Sequence, residues 1–263
     1  MKLEEYFARL PMFGYYNSKR KGEVEKANPY HDEGGRFTSA DKAVAPKGKR
    51  RKWRGRGAVD KSRQEYERAF AKTRSLPDGI GSGVMHYSIM GFSKINASLR
   101  KSSGKKIIRD TERMDLCFAK GGTVTKSDIV VFRGAPMRAS TLNAMLGKGT
   151  VEFDRYGNLE VSKPSRKGFV DHGFVSTSLD VERGKMFSLS LAFPMAAKGG
   201  VRPVAVLFQI TVKKGSRIIT GTYKGKKEKE VILNRGTKFR VVSVENPNPY
   251  GREIVVQLEA VSP

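Results

Sequence analysis

Near residue 120 the spacing of apolar side chains changes from helical to alternating, and this change restricts the fold more than any other feature. Before it, Tyr66, Ala69 and Phe70 share one face of a helix over 61–74. Met85, Ile89, Phe92, Ile95 and Leu99 mark a stronger amphipathic helix over 84–101, and Met114, Cys117 and Phe118 a third around 110–119. From about 128 onward the apolar runs are short, rich in β-branched residues and punctuated by Gly and Pro. They predict strands over Ile129–Phe132, Phe174–Ser176, Val204–Val212, Val231–Leu233, Thr237–Val244 and Ile254–Leu258. Helices first and strands second give an α+β architecture with mostly antiparallel sheet. The stretch 135–172 holds no readable motif, although Gly147, Gly149 and Gly157 suggest loops or a hairpin. No internal repeat is visible.

A chain of 263 residues suits one good-sized domain with an extension. We place the extension at 1–59 and the domain at 60–263, with a helical part over 60–120 and a strand-rich part over 121–263. Pro, Gly, Asn and charge dominate the first sixty residues, and apolar side chains there follow no period, as expected of a flexible arm. Lys47 to Arg56 carries seven cations, no acid and Trp53. Such a run suits phosphate neutralisation with a stacking aromatic; a solvated linker and an import signal are equally open readings.

Lys and Arg number 51 against 26 Asp and Glu, a formal net charge of +25. The excess is spread along the whole chain, so the folded body as well as the arm should attract polyanions such as nucleic acid or an acidic protein surface. Cys117 is the single cysteine, which excludes an intrachain disulfide and a cysteine-based zinc site. His31, His86 and His172 lie far apart without i,i+4 partners, so no metal is expected. Glu4 and Glu5 with no apolar core argue against a signal peptide, and no apolar run approaches the roughly 18–20 residues that span a bilayer.

Three segments carry chemistry. Arg133 leaves the apolar run Ile129–Phe132 and is followed by Gly134; a guanidinium there either caps the strand or grips an anion in a bidentate fork. Gly173-Phe174-Val175-Ser176-Thr177-Ser178 leads into Leu179-Asp180, and its hydroxyls either fix a carboxylate or cap the helix that follows. Glu228 and Glu230 precede Val231-Ile232-Leu233. Two residues apart on a strand, they would share a face, either of a cleft or of a solvated edge. The preceding stretch Gly221–Lys227 is cationic and reads as mobile.

In this order, with Asn234-Arg235-Gly236-Thr237-Lys238-Phe239 behind the last, the segments resemble the arginine-directed mono-ADP-ribosyltransferases, the Arg–Ser–Glu class of toxin and phage enzymes. The resemblance covers roughly 84–263. It implies a helical lead-in and two roughly perpendicular, mostly antiparallel sheets around a cleft for NAD, the co-substrate, with no metal. It also implies roles. Arg133 would bind the NAD diphosphate and ribose side, and Gly134 backbone would meet the nicotinamide amide. Ser176 would orient Glu230, Thr177 and Ser178 would shape the cleft, and Phe187 would stack near nicotinamide. Glu230 would hold the nicotinamide ribose, Glu228 would handle the acceptor arginine, and Tyr223 would contact the target protein. The loop before the carboxylates departs from expectation, since Lys224, Lys226, Lys227 and Lys229 are an odd greeting for a cationic acceptor.

Asn28 to Ser39 (Asn-Pro-Tyr-His-Asp-Glu-Gly-Gly-Arg-Phe-Thr-Ser) resembles a segment of tailed-phage head-associated proteins. It implies a phage enzyme, virion-borne or acting in the bacterial cytoplasm, that modifies host proteins, with transcription or translation machinery as leading targets. Transfer to nucleic acid, and a non-enzymatic nucleic-acid-binding virion protein on the same fold, are the competing readings.

Overall fold

The computed structural model describes residues 56–165, 167–190, 203–221, 229–247 and 252–263. Residues 1–55, with the phage-like segment and all of the cationic run except Arg56, lie outside the described residues, as do Tyr223 and Glu228.

Four helices come first: α1 (Arg56–Arg74), α2 (Asp78–His86), α3 (Phe92–Lys101) and α4 (Arg109–Gly121). Helix α1 starts one turn before the expected boundary at Asp60. Tyr66 and Ala69 on α1, and Met114, Cys117 and Phe118 on α4, are buried as their spacing predicts. The single helix expected over 84–101 is instead α2 and α3 joined by a π-helical turn, Tyr87–Gly91. The inserted residue changes which side chains share a face. Val84, Tyr87, Phe92, Ile95 and Leu99 are buried, whereas Met85 is exposed. The step of five from Tyr87 to Phe92 is the signature of the π turn, a feature that recurs at functional sites.

Eleven strands appear among the described residues: β1 (Thr123–Val124), β2 (Ile129–Met137), β3 (Val151–Phe153), β4 (Leu159–Val161), β5 (Gly168–Asp171), β6 (Val175–Ser178), β7 (Val204–Val212), β8 (Arg217–Thr220), β9 (Glu230–Leu233), β10 (Thr237–Glu245) and β11 (Glu253–Val261). Helices α5 (Ala139–Leu146) and α6 (Val181–Ser190) lie between them. The unread stretch 135–172 therefore holds the end of β2, α5, the β3–β4 hairpin and β5.

Hydrogen bonding runs through nine strands in the order β1-β8-β9-β6-β2-β7-β11-β10-β5, with β3-β4 a separate ribbon. All pairs are antiparallel except β7 with β11. The expected two sheets are visible as two groups of strands in this ladder. Only one register pair, Phe132 with Ser178, joins β6 to β2, whereas β2 and β7 share nine pairs. One group is β1-β8-β9-β6 and the other β2-β7-β11-β10-β5.

Alternation buries one face of β2, with Ile129, Val131, Ala135 and Met137 against Val204, Val206, Ile210 and Val212 of β7. The opposite face of β2 carries α6. At Gly134 the helix comes so close that a Cβ would sit 1.8 Å from the Gly184 carbonyl oxygen and 2.4 Å from the Ser188 nitrogen. Among the described residues no helix is long and apolar enough to cross a membrane, and no group of three His, Cys, Asp or Glu could hold a metal ion.

Candidate active site

Phe174 fixes the entry to β6. Its ring stacks on Phe118 of α4 and meets Tyr87 edge-on, both at 5.6 Å between centroids. Its backbone is held as firmly: the N–H donates to Asn96 Oδ1 (2.8 Å) and the carbonyl accepts from the Tyr87 hydroxyl (3.2 Å). Asn96 closes the ring by donating Nδ2 to the Tyr87 oxygen at 3.0 Å. Below it, Arg100 of α3 forms a two-point ion pair with Asp171 of β5, at 2.8 and 3.0 Å. Asp171 Oδ1 also accepts the Gly173 N–H at 2.9 Å. The helical lead-in thus holds the Ser176-Thr177-Ser178 segment by side chains and ring stacking.

That segment pairs with β9. Ser178 stands opposite Glu230, Thr177 opposite Val231 and Ser176 opposite Ile232. Glu230 is 2 % exposed, a burial that a carboxylate tolerates only with partners. The Ser88 hydroxyl, on the π turn, donates to Glu230 Oε2 at 2.9 Å. Ser176, the residue expected to orient Glu230, turns its hydroxyl to the Tyr87 oxygen at 3.5 Å. Ser176 and Glu230 therefore meet the same helical segment through adjacent residues. Burial raises the Tyr87 hydroxyl pKa, against the hydrogen bonds from Ser176 and Asn96. Tyr66 of α1 lies near enough to feel Glu230; burial, then the charges of Glu67 and Glu230, push its pKa up to about 12.

The chain enters β9 through Lys229, whose φ of +47° is left-handed, a conformation that β-carbon residues adopt at a cost. The Lys229 carbonyl accepts the Leu179 N–H at 3.1 Å, which ties this turn to the end of β6. The strand begins at Glu230, and Glu228, expected on the same face, lies outside the described residues. Sequence reading also expected from this segment either a carboxylate clamp or a helix cap made by Ser178 or Asp180, and Asp180 caps α6 with support from Ser178. Ser178 Oγ accepts the Asp180 N–H at 2.9 Å, and Asp180 Oδ1 accepts the Glu182 N–H at 3.0 Å. Thr177 Oγ1 donates to the Val231 carbonyl at 2.7 Å, a strand-to-strand tie on the face away from Glu230. Phe187 is half-buried on α6.

Arg133 lies across the single-pair junction, on β2. Its side chain is 6 % exposed and borders a hollow lined by Asp171, Met145, Phe169, Phe208 and Phe239 among others. Neither Nη1 nor Nη2 has a hydrogen-bond partner among the described residues. Burial, then the like charge of Arg100, pull its pKa down to about 10, against the attraction of Asp171 and Tyr87. A buried guanidinium with two idle donors is costly, and an anionic group is what would satisfy it. Gly134 beside it has a packing reason as well, the close approach of α6.

A buried guanidinium with unpartnered donors, a buried carboxylate held by a hydroxyl and a hydroxyl-lined strand between them are parts suited to a site that breaks a glycosidic bond in a nucleotide. The family model of the ADP-ribosyltransferase exoenzymes matches residues 78–260. The chain belongs to this family. As in other ADP-ribosyltransferases, NAD is the substrate that donates ADP-ribose, and target proteins are the acceptors the family implies.

Solved structures agree on the fold. An ADP-ribosyltransferase of Clostridium botulinum superposes with a TM-score of 0.52 at 20% identity over 77% of this chain and 95% of that one. The Clostridium limosum C3 exoenzyme gives 0.51 at 20% identity over 77% and 94%, and an ADP-ribosyltransferase toxin from Paenibacillus larvae 0.52 at 19% over 78% and 96%. No curated protein sequence matches the chain.

If this ADP-ribosyltransferase holds NAD as the resemblance implies, Arg133, with its unpartnered Nη donors, would meet a phosphate and Glu230 would supply the fixed negative charge. Sequence reading missed Tyr87, Ser88, Asn96, Arg100 and Asp171. The one sequence signal for the first two was the five-residue step between buried aromatics, Tyr87 and Phe92.

Proposed function

We propose that this enzyme transfers ADP-ribose from NAD to arginine side chains of target proteins. The observation that carries the chemistry is Glu230, buried and hydrogen-bonded by Ser88 at the head of β9. As the C1′–N bond of the nicotinamide ribose breaks, nicotinamide leaves with the bonding electrons and positive charge develops on the sugar. A fixed carboxylate stabilises that charge, the electrostatic logic of glycoside cleavage. Arg133 would hold the diphosphate end through its idle Nη donors. The acceptor nitrogen then forms the new bond to C1′.

Arginine as the acceptor is supported by Glu228 in the sequence Glu-Lys-Glu. A guanidinium keeps its proton above pH 12, so it attacks only when a carboxylate positions it and accepts the proton. Asn28 to Ser39 supports a phage enzyme acting on host proteins, with transcription or translation machinery the candidate acceptors. The net charge of +25 favours a second acceptor class, nucleic acid.

The test is transfer from labelled NAD to a small guanidine and, separately, to nucleic acid. Glu228→Gln should spare NAD hydrolysis and abolish guanidine labelling; Glu230→Gln should abolish both, a loss on the order of 10²–10³ or more. Normal guanidine labelling by Glu228→Gln would overturn the assignment of the acceptor carboxylate. Labelling of nucleic acid alone would replace the arginine reading.

A further inference from the structure

Beside β1, the edge of the nine-stranded sheet, lies an open groove of about 830 Å³. Five cations line it: Arg68 and Lys72 from α1, Lys126 just after β1, Lys214 from the β7–β8 turn and Arg217 at the start of β8. No carboxylate and no aromatic side chain is among the lining residues. The groove lies at the Arg217 end of β8, whereas Thr220, at the other end, pairs with the neighbour of Glu230. Three residue steps along a strand separate them, about 10 Å.

Structural duties account for three of the five. Arg68 is bonded to Glu65 and to the Val124 carbonyl. Lys72 Nζ donates to the Gly122 carbonyl at 2.9 Å and Arg217 Nη1 to the Phe118 carbonyl at 3.5 Å. Both close the C-terminal end of α4, where the helix dipole favours cations. Lys126 and Lys214 have no such duty. Both are exposed, and their ammonium groups bond to nothing among the described residues. The nearby carboxylates are engaged elsewhere: Glu65 accepts the Lys126 backbone N–H and bonds Arg68, while Asp128 takes Lys213 Nζ at 2.6 Å and the Lys214 N–H at 2.8 Å.

We propose that this groove binds the phosphodiester backbone of double-helical nucleic acid and holds the enzyme there while the catalytic cleft stays free. Cations from separate segments along one groove, with no acid among them, suit a row of phosphates, and the net charge draws the polyanion in. Without aromatic side chains the groove cannot stack unpaired bases, and without Asn or Gln it lacks a usual reader of adenine edges. Arg68 and Arg217, of the type that reads guanine, already donate to protein carbonyls, so contact is with the backbone and independent of sequence. An acidic protein surface fits less well, because the groove offers no aromatic or Met anchor of the kind that dominates protein interfaces.

The test is a salt titration of the full chain against labelled DNA and RNA duplexes of about 20 base pairs, with no NAD present. Lys126→Gln/Lys214→Gln is compared with Lys163→Gln/Lys238→Gln, an equal charge change on exposed residues outside the groove. Two lost phosphate contacts should reduce the log–log slope by about 1.8, leaving the binding due to other parts of the chain. The control pair should leave the slope unchanged, and thermal unfolding should show both variants folded. Equal slopes for the two variants would overturn the proposal. So would intact duplex binding with lost binding of poly-glutamate, which would make the groove a site for acidic protein.

Discussion

Ser88 has no place in a catalytic motif, yet its hydroxyl is the donor on Glu230 Oε2. A hydrogen bond to a charged group contributes about 1.5–3 kcal/mol. Ser88→Ala should therefore lower kcat of NAD turnover about tenfold or more, with little change in KM. The acid limb of the pH profile should move to higher pH, because a lost donor destabilises the carboxylate form. Ser88→Thr should restore the activity. A loss of thermal stability alone, with kcat and the pH profile unchanged, would reduce Ser88 to packing. Arg133 makes the opposite trade. Its folded pKa of about 10 lies below the ordinary guanidinium value, so the unfolded chain binds more protons between the two. Stability from this group therefore rises with pH only in that window, and at neutral pH the full cost of the buried charge is present. Arg133→Met should raise the unfolding free energy by about 1–3 kcal/mol, while NAD turnover falls on the order of 10²–10³. Lower stability in that variant would mean the guanidinium serves the fold rather than the substrate.

At the scale of elements, the contact between β2 and α6 depends on two glycines. A Cβ on Gly134 would overlap the Gly184 carbonyl and the Ser188 amide, neither of which is a movable side-chain tip. Gly134→Ala should cost at least the 1–3 kcal/mol typical of overpacking, read as a lower denaturant midpoint with an unchanged slope. Nothing in the sequence distinguished this packing role from a place under nicotinamide, because both need an absent side chain. Other elements were legible. Val204–Val212 matches β7 end to end because its run is long, apolar and β-branched. Thr237–Val244 differs from β10 by one residue. Short strands were not: β1 and β8 have two and four residues, too few to show alternation, and their register comes from neighbours. In α2 the choice of Met85 over Val84 failed because periodicity was extrapolated at 3.6 residues across a π turn. Of the candidate site, Arg133, Ser176 and Glu230 were proposed by type and order, whereas Ser88 and Asp171 enter through tertiary contacts that no local pattern encodes.

For the whole molecule, charge and catalysis occupy different ends of the first strand group. The groove cations lie by β1 and the start of β8, and Glu230 lies at the head of β9. An enzyme tethered by its groove would sample acceptors already gathered on the same polyanion, which gives the unusual cationic loop around 224–229 a setting in which its repulsion of free arginine is offset. The ladder between the two strand groups has one rung, Phe132 with Ser178. Arg133 stands on one side of it and Glu230 on the other. On the proposed reading, NAD held by Arg133 at the diphosphate and by Glu230 at the nicotinamide ribose would span this joint, and both holds lie on the ADP-ribose side of the bond that breaks. The span would therefore outlast the loss of nicotinamide and end only when ADP-ribose leaves on its acceptor, so the joint would be freed by the second bond-making step rather than by the first cleavage.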